Sequence, residues 1–455
     1  MILFLRERGI LFFSWYRAWM FYAILNPDDS RNCVGRISME KVIFHIDVNS
    51  AYLSWSSLKA LAEGEETDYR TVPCVVGGDE SKRHGVVLAK SLPAKKYGIH
   101  TGESLFEARR KCPVLTILKP DFAAYVKMSR AMFRIFETYS PDIYQYSIDE
   151  AFLDMTGMES LLGPPEETAA RLKNQIRDTL GFTVNVGISS NYLLAKMASD
   201  FEKPDKVHTL YPGEIREKMW PLPVGDLFSV GRSARRKLEK YGVKTIGDLA
   251  AMDRGMLSAE LGVQGGVIWD YANGIESSPL VQREVKEKSY GSSITTSEDV
   301  ESCQAACRLL LGLCETVGTR LRLDSMKAGT VSVQVTDYNF KKRSHQKSLG
   351  HSTDVTAEIY EAACSLMREM WNGTPVRLIG VSCGKAAVEE YEQLSLFTDE
   401  KSEKQKKLDR AMDSLKSRFG DGAVVRASLL KHSGRPGGMA KAKMEQKLER
   451  KGEQP

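Results

Sequence analysis

Apolar positions along the chain recur with two periods, and each change of period marks an element. The run VIFHI, Val42 to Ile46, predicts a buried strand that ends at Asp47. Tyr52, Trp55, Leu58 and Leu61 or Ala62 then recur at helical spacing. Val86 to Ala89 reads as a strand, Pro93 to Tyr97 as the first turn of a helix, and Gly77-Gly78-Asp79 as a loop. The stretch YSIDEAFLD, Tyr146 to Asp154, alternates as a strand does. Ile148, Glu150, Phe152 and Asp154 share one of its faces, and Ser147, Asp149, Ala151 and Leu153 share the other. Leu172, Ile176 and Leu180 form a four-spaced stripe, which predicts an amphipathic helix over Glu166 to Leu180. A strand at Val184 to Ile188 follows. Next comes a helix at Asn191 to Glu202, with Leu194, Met197, Ala198 and Phe201 inward. Strand, helix, two strands, helix, strand is a split βαβ arrangement, a rigid sheet on which a site can be mounted.

The second half changes character. Leu222 to Ile275 contains FSVGRSARRKLEKYGVKTIGDLAAM, in which Val230-Gly231 opens a basic helix and Ile246-Gly247-Asp248-Leu249 opens another. This resembles a helix–hairpin–helix, whose backbone N–H groups meet phosphate oxygens without reading bases. Gly231 with Arg232 and Arg235 would make that contact; a plain helical hairpin is the other reading. Ser277 to Lys288 is a polar tether. Strands at Thr330 to Thr336 and Arg377 to Ser382 then alternate with helices at Ser302 to Leu323 and Ala357 to Trp371. Between them YNFKKRSHQK offers Lys341, Lys342 and Arg343 on a hairpin that could face a polyanion. Glu400 to Arg418 reads as a charged helix, and the Lys- and Gly-rich stretch from Gly434 to Pro455 as disordered.

Composition narrows this picture only modestly. A net charge of +5 over 455 residues permits a polyanionic partner without demanding one. The eight cysteines include no Cys-x-x-Cys and no nearby paired His, which argues against zinc and for reduced thiols in a cytoplasmic protein. Leu11 to Leu25 is apolar and aromatic, but Arg17 interrupts it and it falls short of the roughly 20 residues of a membrane span. No secretory cleavage site follows it. A membrane-surface anchor is the minority reading of that stretch.

The acidic residues carry the chemistry. Asp149 and Glu150 interrupt an apolar strand, and Asp47 stands at the end of another. Crowded carboxylates need a compensating cation. If the segments meet, they offer oxygen ligands to two Mg²⁺ ions, the arrangement that drives in-line displacement at phosphorus. A solvent-facing turn between two hairpin strands is the alternative for Asp149 and Glu150 taken alone.

HIDVNSAY, YSIDEAFLD and VGISSNYLLAKMASDFEKPD together closely resemble the Y-family of translesion DNA polymerases, of the bacterial DinB/UmuC type, and the likeness runs colinearly from Met39 to Asp421. It implies an α+β right-hand polymerase. The ferredoxin-like palm would span 39–50 and 122–211, small fingers 51–121, and a helix–hairpin–helix thumb 212–279. A tether at 280–288 would lead to an α/β little finger at 289–388, and 389–455 would hold a clamp-binding peptide and a basic tail. It also implies that Met39 is the true start and that residues 1–38 are an extension.

The family's catalytic carboxylates carry over onto Asp47, Asp149 and Glu150, which with the backbone at Val48 would hold the two Mg²⁺ ions. Tyr52 takes the place of an aromatic gate that excludes a 2′-hydroxyl, and Lys95 and Lys203 those of triphosphate contacts. Leu92 departs from the Tyr that relatives often carry there, which removes one phosphate hydrogen bond. Gln393, Leu394, Leu396 and Phe397 resemble the peptide that bacterial sliding clamps receive in an apolar groove. FGDGAVVRAS is similar to the tails of some relatives. The expected activity is error-prone addition of dNTPs to primer-template DNA by a monomer. Two rivals stand beside it. One is a partner-dependent or non-catalytic DNA- and clamp-binding protein. The other is a template-free cyclase-like nucleotidyltransferase, whose signature the GGDE at Gly77 to Glu80 mimics before Ser81 departs from it.

Overall fold

The computed structural model describes residues 40–79, 85–281, 287–387, 400–420 and 423–429. The chain opens with β1 (Ile43–Val48) and α1 (Ala51–Ala62). An excursion follows through β2 (Cys74–Gly77), β3 (Val87–Lys90), α2 (Leu92–Lys96), α3 (Leu105–Lys111) and β4 (Thr116–Leu118). Then come α4 (Phe122–Phe136), β5 (Ile143–Gln145), β6 (Glu150–Asp154), α5 (Glu159–Leu162) and α6 (Pro165–Leu180). β7 (Val184–Ser189), α7 (Tyr192–Ser199) and β8 (Val207–Thr209) complete this part. A helical stretch holds α8 (Arg232–Lys240), α9 (Ile246–Ala250), α10 (Arg254–Leu261) and α11 (Val263–Ala272). The last part runs through β9 (Ser289–Val300), α12 (Cys303–Leu323), β10 (Ala328–Asp337) and β11 (Lys342–Thr353). It closes with α13 (Thr356–Met370), β12 (Val376–Gly384) and α14 (Glu400–Phe419).

The first sheet has the order β5-β6-β1-β7-β8, with β1 antiparallel to both of its neighbours. Leaving the excursion aside, strand, helix, hairpin, helix, strand with β1 central is the ferredoxin-like wiring that the periodicity predicts. One face buries Phe44, Ile46 and Val48 against Met132 and Phe136 of α4 and Leu172 and Ile176 of α6. α7 lies across the other face. A Cβ at Gly187 would come within 2.0 Å of the Ala195 carbonyl oxygen and 2.5 Å of the Ser199 nitrogen, so only glycine admits the helix at this distance.

Two expectations need correction. The strand expected from Tyr146 begins only at Glu150. Ser147 Oγ accepts from the backbone N–H groups of Asp149 and Glu150, and the Tyr146 and Ser147 nitrogens both donate to the Glu150 carbonyl. The hydroxyl thus turns the backbone where simple alternation would extend it. Asp149 therefore sits in a hairpin turn and Glu150 opens the strand. The helix expected to reach Glu202 ends at Ser199, and Phe201 lies beyond it.

A second sheet, ordered β11-β10-β12-β9 and antiparallel throughout, packs α12 and α13 against Val331, Val333 and Val381. The register puts Ser293, Ser332, Gln334 and Ser382 on its opposite face. β9, of 12 residues, is additional to the two strands that the pattern predicts here, and β11, also of 12, is the far arm of the hairpin expected at YNFKKRSHQK, extended to Thr353. The excursion forms a three-stranded sheet, β3-β2-β4. The helical stretch closes a core that also takes Leu193, Leu194 and Met197 from α7. Among the described residues, no helix is long and apolar enough to cross a membrane.

Candidate active site

Register decides which acidic groups meet. Asp47 pairs with Glu150 on one side and with Asn185 on the other, so all three side chains share the α7 face of the sheet. Asp149 adjoins them through its carbonyl, which accepts from Val48 N at 3.1 Å, and its carboxylate is held by the Ser147 hydroxyl at 2.6 Å. Burial pushes Asp47 up to about 6 against the pull of Lys203, and Glu150 and Asp149 push in the same direction. Glu150 moves the other way: burial would raise it, but His45 and Lys196 outweigh burial and hold it at about 2. His45 is buried in neutral form, lowered to about 4 by that burial, with Nδ1 2.7 Å from Ser199 Oγ.

Asp47 and Glu150 each have a lysine. Lys203 contacts Asp47 Oδ2 directly and Asp200 Oδ1 at 2.7 Å, and Lys196 Nζ donates to Glu150 Oε2 at 2.7 Å. The Lys203 loop is pinned from below. Asn49 Oδ1 accepts from Asp205 N at 2.7 Å, while Asn185 Nδ2 donates to the carbonyls of Ser199 at 3.0 Å and Glu202 at 2.6 Å. In this conformation no group of three His, Cys, Asp or Glu side chains among the described residues converges closely enough to hold an ion. The donor set is nevertheless the one Mg²⁺ uses: hard carboxylate oxygens, few in number, with room for ligands from phosphates.

Beside these groups lies a cleft of about 460 Å³ between the first sheet and the excursion, lined by Tyr52, Arg70, Lys90, Lys95, Asp149 and Lys203 among others. Ser50 adopts a left-handed conformation, φ 48°, which turns the chain sharply from β1 into α1 and leaves the helix N-terminus at the cleft. Tyr52 is stacked on Tyr125, with centroids 4.9 Å apart, and meets Phe122 edge-on. Lys95 stands in the last turn of α2, whose N-cap Ser91 accepts from Ala94 N. Leu92 is 52 % exposed at the start of that helix. The structure therefore gathers Tyr52, Lys95, Lys203 and Asp149 in one cleft, which Asp47 adjoins through Lys203 and Glu150 through its pairing with Asp47.

Comparison with known proteins fits this geometry. The impB/mucB/samB family matches residues 46–200, its C-terminal domain 287–396, and the IMS family HHH motif 212–243. A DNA polymerase IV of Clostridium acetobutylicum is 45% identical over 396 residues, covering 86% of this chain and 99% of that one. The chain belongs to this family, the Y-family DNA polymerases. DNA polymerase IV of Acetivibrio thermocellus and DNA polymerase IV 2 of Bacillus subtilis are each 36% identical over 87% of the chain, covering 99% and 96% of their own lengths. In fold, the chain matches a Y-family DNA polymerase chimera, Dbh-Dpo4(243-245)-Dbh, with a TM-score of 0.66 and 20% identity over 76% of this chain and all of that one.

In the family's terms the first sheet is the palm, the excursion the fingers, α8 to α11 the thumb and the second sheet the little finger. In the thumb, Gly231 is the N-cap of α8 and makes no side-chain cap. Arg232 is exposed beside it, and Arg235 Nε bonds Glu239 at 2.8 Å. In the little finger, Lys341 and Lys342 are exposed on the β10–β11 hairpin. Arg343 behaves differently: it pairs with Val335 on the helix-covered face and donates to the Met370 carbonyl at 3.1 Å. It braces the sheet. Gln393, Leu394, Leu396 and Phe397 lie outside the described residues, as does Met39.

Sequence reasoning passed over Asn49, Asn185 and Lys196. Asn185 alone left a signal, a polar residue inside the apolar strand VNVGI. Asn49 and Lys196 look like ordinary turn and helix residues until the strands are paired.

Proposed function

We propose that this chain is a template-directed, error-prone translesion DNA polymerase that adds dNTPs to a primer 3′ end. The observation that carries the reading is the cross-strand pairing of Asp47 with Glu150, with Asp149 alongside in the cleft that holds Tyr52, Lys95 and Lys203. Two Mg²⁺ ions, held by Asp47, Asp149, Glu150 and the Val48 backbone, would supply activation of the attacking 3′-oxygen and neutralise the charge that develops on the leaving pyrophosphate. The chain's own groups bind and orient. The N-terminus of α1 presents backbone N–H groups to the anionic triphosphate. Lys95 and Lys203 add positive charge where phosphate charge accumulates. Lys203 is 36% exposed, so it is free to pass from Asp47 to a phosphate. Tyr52, fixed by Tyr125 and Phe122, forms a wall beneath the sugar.

Gly231 and Arg232 of the thumb and Lys341 and Lys342 of the little finger would grip the DNA backbone, giving binding independent of sequence. The segment Gln393 to Phe397 would carry the protein, as a monomer in the cytoplasm, to a sliding clamp. Its support is its apolar pattern behind a Gln anchor and its place after the little finger.

Primer extension on undamaged template with Mg²⁺ and single dNTPs tests this. Incorporation should follow the template and fall by on the order of 100-fold or more in Asp149→Ala. Undiminished incorporation by the variant, or incorporation without template, would sink the reading.

A further inference from the structure

The two lysines beside the carboxylates are placed differently. Lys203 stands in the open cleft, 36% exposed. Lys196, in mid-α7, has a side chain only 10% exposed. Its ammonium lies 2.7 Å from Glu150 Oε2, 4.9 Å from the centre of the Tyr146 ring and 5.7 Å from that of Phe228 in the thumb. His45 Nε2, buried and without a hydrogen-bond partner, stands 3.7 Å from the same oxygen. A buried ammonium between aromatic faces has no water to retreat to, so leaving Glu150 would strand it. Oε1 of Glu150 accepts no hydrogen bond among the described residues. The carboxylate is thus divided, one oxygen committed to the protein and one left for a ligand.

We propose that Lys196 is a fixed positioning residue that occupies Oε2 of Glu150, restricts this carboxylate to a single donor oxygen, and keeps the ion site weak until a nucleotide brings its phosphates. The inference rests on the polymerase reading above and deepens it. A permanent positive charge 2.7 Å from Oε2, on the carboxylate that would hold the ion through Oε1, opposes cation binding. The triphosphate supplies the missing negative charge, so ions and nucleotide fill the site together.

The test is an EPR titration with Mn²⁺ of the full chain bound to a primer-template whose primer ends in a dideoxynucleotide, with and without the matching dNTP. Lys196→Met keeps the stem and removes the charge. It should bind Mn²⁺ on the order of tenfold more tightly without dNTP, and the gap should narrow once dNTP is present. Lys196→Arg should stay near the parent protein. Lys196→Gln replaces the Met variant if that protein melts early. Half-activation of primer extension by Mg²⁺, read with dNTP present, should fall by less. The proposal is overturned if Mn²⁺ affinity is the same with and without the Lys196 charge, or if Arg shifts it as far as Met does. Glu150→Gln separates the two levels. If it leaves Mn²⁺ binding intact, the metal-site reading itself has failed. If it weakens binding while Lys196→Met changes nothing, only the role of Lys196 has failed.

Discussion

At the scale of single residues, Tyr52 shows how position supports a proposed role that spacing leaves open. Its place in the stripe of Tyr52, Trp55 and Leu58 is that of a core aromatic, yet it borders the cleft while Trp55 is fully buried. The stack on Tyr125 fixes the ring against displacement. Tyr52→Ala should therefore raise ribonucleotide incorporation by on the order of 100-fold or more relative to dNTP, read as the ratio of single-nucleotide kcat/KM values, because excluding a hydroxyl by a wall needs the wall. An equal ratio in both proteins would remove Tyr52 from that role. Asp68 makes a prediction of stability. Hydrogen bonds from Arg70 outweigh burial and bring its carboxyl down to about 2, while Ser57 and the Arg70 backbone add to the hold. Its folded value lies below the ordinary 3.8, so the contribution is present above about pH 4 and is lost as pH falls toward 2. Denaturant melts of Asp68→Asn and the parent should differ at pH 7 and converge near pH 2. Arg70 also donates to the Gly181 carbonyl, so the loss would be felt where the fingers meet the palm.

At the scale of elements, what the sequence made legible depended on whether a face was apolar. β1, β6, β7 and α6 are legible because each carries an apolar run or stripe, whereas β5 and β8, of three residues each, are too short to leave one. β9 is not legible, and of β11 only the hairpin end is: β11 is an edge strand whose residues from Ser344 to Ser348 are exposed on both sides, and β9 turns Gly and Ser to the open face of its sheet. Backbone pairing with β10 and β12 holds them, and pairing leaves no mark in composition. α14 reverses the problem. Its charge pattern announces a solvated helix, yet Asp409 and Lys416 are buried. Asp409 Oδ2 accepts from Thr356 N at 2.8 Å, capping α13, and Asp409 also takes Arg322 and Arg426 as partners. Those partners lie far away in sequence, which is why the burial could not be foreseen. Asp409→Ala should strip the cap and leave Arg322 to Asp413, costing about 1–3 kcal/mol in the little finger. Thermal melts of the full chain should show the loss, and an unchanged profile would mean that α14 is only loosely seated.

At the scale of the molecule, family motifs named the candidate palm residues in advance, but the lysine pairings and the Asn49–Asn185 brace required the fold. DNA grip should be electrostatic, since the candidate contacts on thumb and little finger are exposed cations. The logarithm of the DNA binding constant should fall linearly with that of salt, and Arg232→Ala and Lys342→Ala should each reduce the slope by about 1. A slope insensitive to both would place the contacts elsewhere. The sharing of α7 between palm sheet and thumb core has a mechanical consequence. Gly187 lets the helix seat directly on the sheet, and Leu193, Leu194 and Met197 extend it into the thumb interior. Floor and grip are therefore one stiff lever, and tilting the thumb would drag Lys196 and the carboxylate it holds. The little finger, whose core contains no palm or thumb residue among the described residues, is not carried on that lever. A shift of the little finger along a template strand would then leave the reacting groups undisturbed.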